Sequence, residues 1–167
     1  MDVTLEPAAD RRATIENLFQ FYVHDFSDFW IEPQVDLGED GRFPPYPPLE
    51  SYWAGDPRRA AYLIRADQAL AGFVLLNDHS HSGRPADFNV AEFFVARPYR
   101  RGGVGRAAAL AAITPRRGQW EIAVARRNLA AQAFWRQIAA AAAAGDIEET
   151  DQDDDRWNGM ILRFVVA

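Results

Sequence analysis

The sequence predicts an α/β or α+β fold with a mixed sheet, on three observations. Short alternating or continuous apolar runs are separated by longer stretches with helical spacing. Their order reads strand, helix, long loop, three strands, helix, strand, helix, strand. The strand–helix–strand passage from Phe88 to Ala125 is long enough for a crossover, which joins strands running the same way. With 167 residues, 49% of them hydrophobic, the chain has material for one ordinary domain, expected over residues 1–167.

Each element has its own signal. Val3 to Leu5 alternate as a short strand, and Asp10 is placed to cap a helix with Ile15, Leu18, Phe19, Tyr22, Val23 and Phe26 on one face. Residues 30–57 form a long loop in which Pro44, Pro45, Pro47 and Pro48 exclude regular helix or central strand. Its Phe43, Tyr46, Tyr52 and Trp53 suit a flap over a substrate better than a free linker. Ala60–Ala66 and Ala69–Leu76 read as strands around a tight turn at Asp67-Gln68. A polar loop, with His79 and His81 expected to be exposed, leads to the strand Phe88–Val95. The Ala-rich stretch from Val104 to about Ile113 suits a helix packed closely on a sheet, and Trp120–Ala125 is the next strand. Asn128 caps a helix running to about Ala144, which Gly145 ends. The acids from Asp146 to Asp155 read as a solvated loop before a last strand, Met160–Val166.

Composition excludes several chemistries. All 18 basic residues are arginine, and there is no cysteine, so neither a Schiff-base lysine nor a catalytic thiolate exists. Cysteine zinc sites and iron–sulfur clusters are ruled out, and three histidines make a His-rich metal site improbable. The net charge of −6 is concentrated in Asp146, Glu148, Glu149, Asp151, Asp153, Asp154 and Asp155. Arg97, Arg100, Arg101 and Arg106 crowd into ten residues, and no other stretch alternates arginine with aromatics as a nucleic-acid surface would, which points to a local anion site. With neither a signal-like start nor a membrane-length apolar run, a soluble cytoplasmic protein is expected.

That anion site has a backbone to go with its charge. Arg100-Arg101-Gly102-Gly103-Val104-Gly105-Arg106 lies between a strand and a helix, where glycines permit close approach and the helix start offers unpaired amides to a phosphate. A P-loop fails, because Gly105 is followed by Arg106 and Ala107 in place of Lys and Ser/Thr. A dinucleotide fingerprint is a weaker alternative: Gly103, Gly105 and Ala108 fit GxGxxG/A, with Glu121 roughly 20 residues on, but residues 96–102 intervene between strand and glycines.

RxxGxG at Arg100, Gly103 and Gly105, after a strand ending FFVARPY, resembles the acetyl-CoA pyrophosphate motif of the GNAT superfamily of N-acyltransferases. The segment WEIAVARRN and the following Asn128, Ala131, Phe134 and Trp135 resemble that family's later strand and helix. The resemblance implies a mostly antiparallel sheet of about six to seven strands flanked by helices, with strands 4 and 5 parallel and splayed. It implies acetyl-CoA, as co-substrate, with its pyrophosphate on the amides of Arg101, Gly102, Gly103, Val104, Gly105 and Arg106. Phe94 and Val95 would offer backbone groups to the pantetheine arm and acyl carbonyl, and Asn128, Phe134 and Trp135 would flank the arm.

The reaction so implied is direct attack of a primary amine on the thioester. Glu92, on a strand face shared with Val90 and Phe94 by period two, is the candidate base, its pKa raised by its apolar neighbours Phe93 and Phe94. Phe134 and Trp135 stand where the family often has a Tyr to protonate the thiolate, and neither can donate that proton. Tyr22, Asp25, Phe43 and Tyr46 are candidates for the acceptor side, with Asp25 or Asp28 as counter-charge among Phe26, Phe29 and Trp30. The expected partners are an acyl-CoA and a small-molecule or peptide amine, with no metal, nucleic acid or membrane, and a homodimer is left open. A non-catalytic acyl-CoA-binding domain is the alternative, and a dinucleotide-binding oxidoreductase the third reading.

Overall fold

The computed structural model describes residues 1–29 and 35–167, so Trp30 lies outside the described residues. Seven strands form one sheet: β1 Val3–Pro7, β2 Ala60–Ala66, β3 Ala69–Asn77, β4 Phe88–Val95, β5 Gly118–Ala125, β6 Glu148–Asp153 and β7 Asn158–Val166. Their order is β1-β2-β3-β4-β5-β7-β6, antiparallel throughout except for the parallel pair β4–β5. The helices are α1 Arg12–Phe26, α2 Pro47–Glu50, α3 Val104–Ile113 and α4 Leu129–Ala142. This is the mixed sheet that the sequence predicts, mostly antiparallel with a parallel β4–β5 pair as the resemblance implies.

Helices cover both faces of the sheet because both carry apolar side chains. On one face Val74, Trp120, Ile122 and Leu162 meet α3 and α4 through Ala109, Ala112, Trp135 and Ile138. On the other, Leu63, Phe73, Leu75 and Phe94 meet α1 through Ile15 and Phe19. The alanines of α3 bring its backbone close to the sheet, as their spacing predicts. At the β2–β3 turn Asp67 and Gln68 both take positive φ, the geometry that matches hairpin twist.

Local expectations fail in four places. Asp10 does not cap α1: Arg11 occupies that position and makes no side-chain cap. Pro47 and Pro48 begin the single turn α2, where a missing N–H costs nothing, and Leu49 is buried against the α1 side of the core. Gly145 does not end α4. Ala143 turns extended first, and the Ala144 amide joins Val165 of β7. Much of the acid run is an edge strand and not a loop, and three of its seven acids are paired with arginines from elsewhere: Glu148 with Arg84, Glu149 with Arg136 and Asp151 with Arg126. Charge along an edge also discourages pairing with another chain.

Candidate active site

The two parallel strands stay together for only two residue pairs, Phe88 with Trp120 and Asn89 with Glu121. Beyond Asn89 they splay. On its other side β4 pairs Leu76 with Val90 but Leu75 with Glu92, leaving Ala91 as an extra residue in a β-bulge. The bulge corrects the period-two expectation for this strand. Val90 packs with Trp120 and α4, whereas Glu92 and Phe94 face α1.

Two cavities, of about 570 Å3 and about 600 Å3, open on this split. They share Tyr22, Phe26, Phe93, Asn128, Ala131 and Trp135, so they meet. Phe93 sits edge-on to Trp135, and Trp135 edge-on to Phe134, which makes an aromatic wall from β4 and α4. Asn128 caps α4 by accepting from the Ala131 amide at 3.1 Å.

The first cavity contains the glycine segment. Arg101 and Gly103 take φ of 66° and 83°, which turns the chain tightly into α3. A Cβ at Gly103 would meet no protein atom within 4 Å, so the glycine there serves backbone conformation and leaves open space for a ligand. The amides at the start of α3 lack intrahelical partners and face a cavity lined by Arg97, Arg100, Arg101 and Arg106. Val104 and Val95 are buried beneath the cradle, Gly105 packs against Phe134, and Gly102 lies at the exposed turn beside Met1. Phe94 lines the cavity and carries the Arg100 guanidinium over its ring. These groups fit a polyphosphate such as that of coenzyme A.

Asp25 lies in this first cavity. It accepts from Arg97 at 2.9 Å and from Arg100, whose Nε donates to the Val95 carbonyl at 2.6 Å. Burial pushes the Asp25 pKa up, but the hydrogen bonds from Arg100 and Arg97 outweigh it and hold the carboxyl below its usual value. Two guanidiniums already neutralise Asp25, and it is not part of the second cavity's described wall.

Glu92 lines the second cavity. Burial pushes its pKa up to about 7, against the opposing hydrogen bonds of the Tyr22 and Tyr46 hydroxyls. Tyr22 donates directly to the carboxylate. Tyr46 stacks on Phe19, and Phe43 is pinned to α1 by its amide donating to Gln20 Oε1 at 2.7 Å. Phe43 and Tyr46 thus line this cavity, while Trp53 and Tyr52 pack into the core, the Trp53 Nε1 donating to the Ala8 carbonyl at 3.2 Å.

The histidine loop departs from expectation. His81 is largely buried, lines the second cavity and sits edge-to-face with Trp157 at 4.6 Å. Burial, reinforced by the neighbouring charge of His79, pushes its pKa down to about 4. The loop is held by Glu121, which is fully buried and accepts from the His81 and Ser82 amides, the Ser80 and Ser82 hydroxyls and Arg163. Glu121 is therefore committed inside the sheet and is not available to a ribose. No local sequence signal marks Trp157 or His81, since they meet only through the fold.

Among the described residues no group of three His, Asp or Glu is placed to hold a metal ion, and no helix is long and apolar enough to cross a membrane. A search of the curated proteins found no match to the sequence. Solved structures with a similar fold include an acetyltransferase from Thermus thermophilus, at 16% identity and a TM-score of 0.62, with 99% of this chain and 96% of that one covered. PaiA N-acetyltransferase from Thermoplasma acidophilum in complex with coenzyme A is similar at 11% identity and a TM-score of 0.58, covering 99% of both chains. Spermidine N-acetyltransferase from Vibrio cholerae, with CoA and spermine, is similar at 15% identity and a TM-score of 0.57, covering 98% of this chain and 95% of that one. The sequence itself matches the model of the acetyltransferase (GNAT) family over residues 15–139, and the chain belongs to that family.

Proposed function

We propose that residues 1–167 form one cytoplasmic N-acetyltransferase domain, which moves an acetyl group from acetyl-CoA to a primary amine by direct attack. One observation carries this reading: an arginine- and amide-lined cavity opens through the β4–β5 split into a second cavity whose wall holds a half-buried carboxylate. The first would bind the CoA phosphates and pantetheine arm, and the second the amine. Asp25 belongs to the phosphate side, where it sets the positions of Arg97 and Arg100. CoA-bound neighbours of the same fold support acetyl-CoA as the donor.

Acetyl-CoA supplies the activated acyl group; the protein's residues handle protons and position. Glu92 takes the proton that the attacking ammonium must lose, directly or through a water, and a carboxylate titrating near 7 suits that task. Trp135 and Phe134 give shape and no proton. Tyr22 borders both cavities and is hydrogen-bonded to Glu92. It hands its hydroxyl proton to the departing thiolate and recovers one from Glu92, which leaves both residues as they began.

Calorimetry with acetyl-CoA, together with steady CoA release on a panel of amines, tests the reading. Gly103→Val and Arg100→Ala should each abolish or severely weaken acetyl-CoA binding, and full binding by both variants would overturn the cradle. Tight binding without CoA release on any amine would point to a non-catalytic acyl-CoA-binding domain.

A further inference from the structure

We infer that the amine acceptor is a monoamine with an apolar, aromatic body, an arylalkylamine, and neither a polyamine nor an amino acid. This deepens the proposed function and rests on it only for the identity of the second cavity.

The inference comes from the charge and surface of that cavity. Among its described lining residues Glu92 is the one carboxylate, and no arginine lines it. The arginines near the site, Arg97, Arg100, Arg101 and Arg106, line the other cavity. His81, the remaining basic side chain, is uncharged at neutral pH. Among the described residues the second cavity therefore has one ionisable carboxylate to match one ammonium. The rest of its wall is largely apolar or aromatic: Phe19, Val23 and Phe26 come from α1, Phe43 and Pro44 from the flap, and Trp157 from the residue before β7.

Each competing acceptor fails on one of these facts. A polyamine would bring further ammonium groups against Val23, Phe26 and Phe43 with no second carboxylate among the described lining residues to meet them, and an unpaired buried charge is strongly disfavoured. An amino acid would bring a carboxylate into a cavity without a cationic partner. An arylalkylamine presents one ammonium to Glu92 and one ring to Phe19, Phe26, Tyr46 and Trp157, and aromatic faces near the ammonium add cation–π attraction. A volume of about 600 Å3 accommodates a ring and a short alkyl arm.

The test uses the full chain saturated with CoA and three probes that separate these features. They are 2-phenylethylamine, phenylalanine with the same skeleton plus a carboxylate, and spermidine with extra ammonium groups. Calorimetric Kd values should favour 2-phenylethylamine over both others by about 10²-fold or more, the scale of discrimination when a buried polar group is left unmatched. A preference below tenfold, or a reversed one, overturns the inference. Val23→Asp adds a second carboxylate to the wall and should move the preference towards spermidine; an unchanged ratio in the folded variant also counts against it. Selective binding of 2-phenylethylamine without its acetylation in the presence of acetyl-CoA would uphold the acceptor class and overturn the transferase reading. Acetylation of spermidine in preference to 2-phenylethylamine would do the reverse.

Discussion

Glu92 and Glu121 lie in adjoining strands on either side of the β4–β5 split, Glu121 fully buried and Glu92 partly buried in a cavity wall, yet their environments drive them apart. Glu121 is fully buried, and burial alone would raise its pKa. Hydrogen bonds from Ser82 and His81, and then Arg163, more than offset that and hold it below its ordinary value. Glu92 meets two phenolic hydroxyls and no cation, so burial wins and its pKa rises to about 7. Burial sets the penalty for a carboxylate, but the donors around it decide the outcome. One strand of the split carries a fixed charge that organises structure, and the other carries a charge that can be exchanged.

Substituting both residues gives the sharpest contrast. Glu92→Gln should lower turnover by about 10²- to 10⁴-fold while acetyl-CoA affinity stays within a factor of two or three. An unchanged rate and pH profile would place the base elsewhere. Glu121→Gln should instead act on stability, by about 3–5 kcal/mol, because it leaves Arg163 as an unpaired buried cation. Chemical denaturation reads that loss, and a fully stable variant would show that Ser82 and the Arg84 and Pro85 carbonyls satisfy Arg163 without the carboxylate.

The two carboxyls should also respond oppositely to pH. The folded pKa of Glu92 is raised from 4.5 to about 7, so its charged form weakens the native state above pH 7 by up to about 3 kcal/mol, and that penalty fades as pH falls towards 4.5. Activity should fall over the same descent through pH 7, because the base becomes protonated. Glu92→Gln should therefore raise Tm at pH 8 and lose that advantage at pH 5. Glu121, with a depressed pKa, contributes stability that is present above 4.5 and lost as pH falls through its lower folded value. A thermal scan of both variants from pH 8 down to pH 3 checks the opposite signs, with the Glu92 effect read between pH 8 and 5 and the Glu121 effect below pH 4.5.

The smallest expected effect falls on the link between the cavities. Tyr22→Phe removes a charge-assisted hydrogen bond and a proton donor, which should reduce turnover roughly tenfold. It also removes a group that lowers the Glu92 pKa, so the acidic limb of the rate profile should move to higher pH. A purely structural role for Tyr22 would leave that limb in place.

The glycine–arginine cavity and the Glu92 cavity differ in how far the sequence reveals them. Gly103, Gly105 and the clustered arginines form a contiguous segment because helix amides and tight turns are local objects, and α3 runs over Val104–Ile113 as its composition predicts. The candidate base was also readable, since Glu92 is the one ionisable residue within β4. Its partners were not: Tyr22 lies 70 residues away, and only the packing of α1 on the sheet brings the two together. Period two puts Val90 on the face of Glu92, but a bulge shifts the period by one residue and leaves no mark in composition.

By itself the sequence determined most of the elements, α2 and β6 excepted, along with their order, the crossover and the glycine–arginine turn into α3, all of which follow from propensity, periodicity and short-range backbone geometry. Tertiary structure decided what long-range pairing alone can decide. It placed much of the acid run in β6, paired there with arginines from elsewhere in the chain, and committed Asp25 to Arg97 and Arg100. It also buried His81 beside Trp157 and surrounded Glu92 with phenols from α1 and the flap. A side chain's charge state depends on which donors the fold brings within a few ångströms, and those donors are dispersed along the chain.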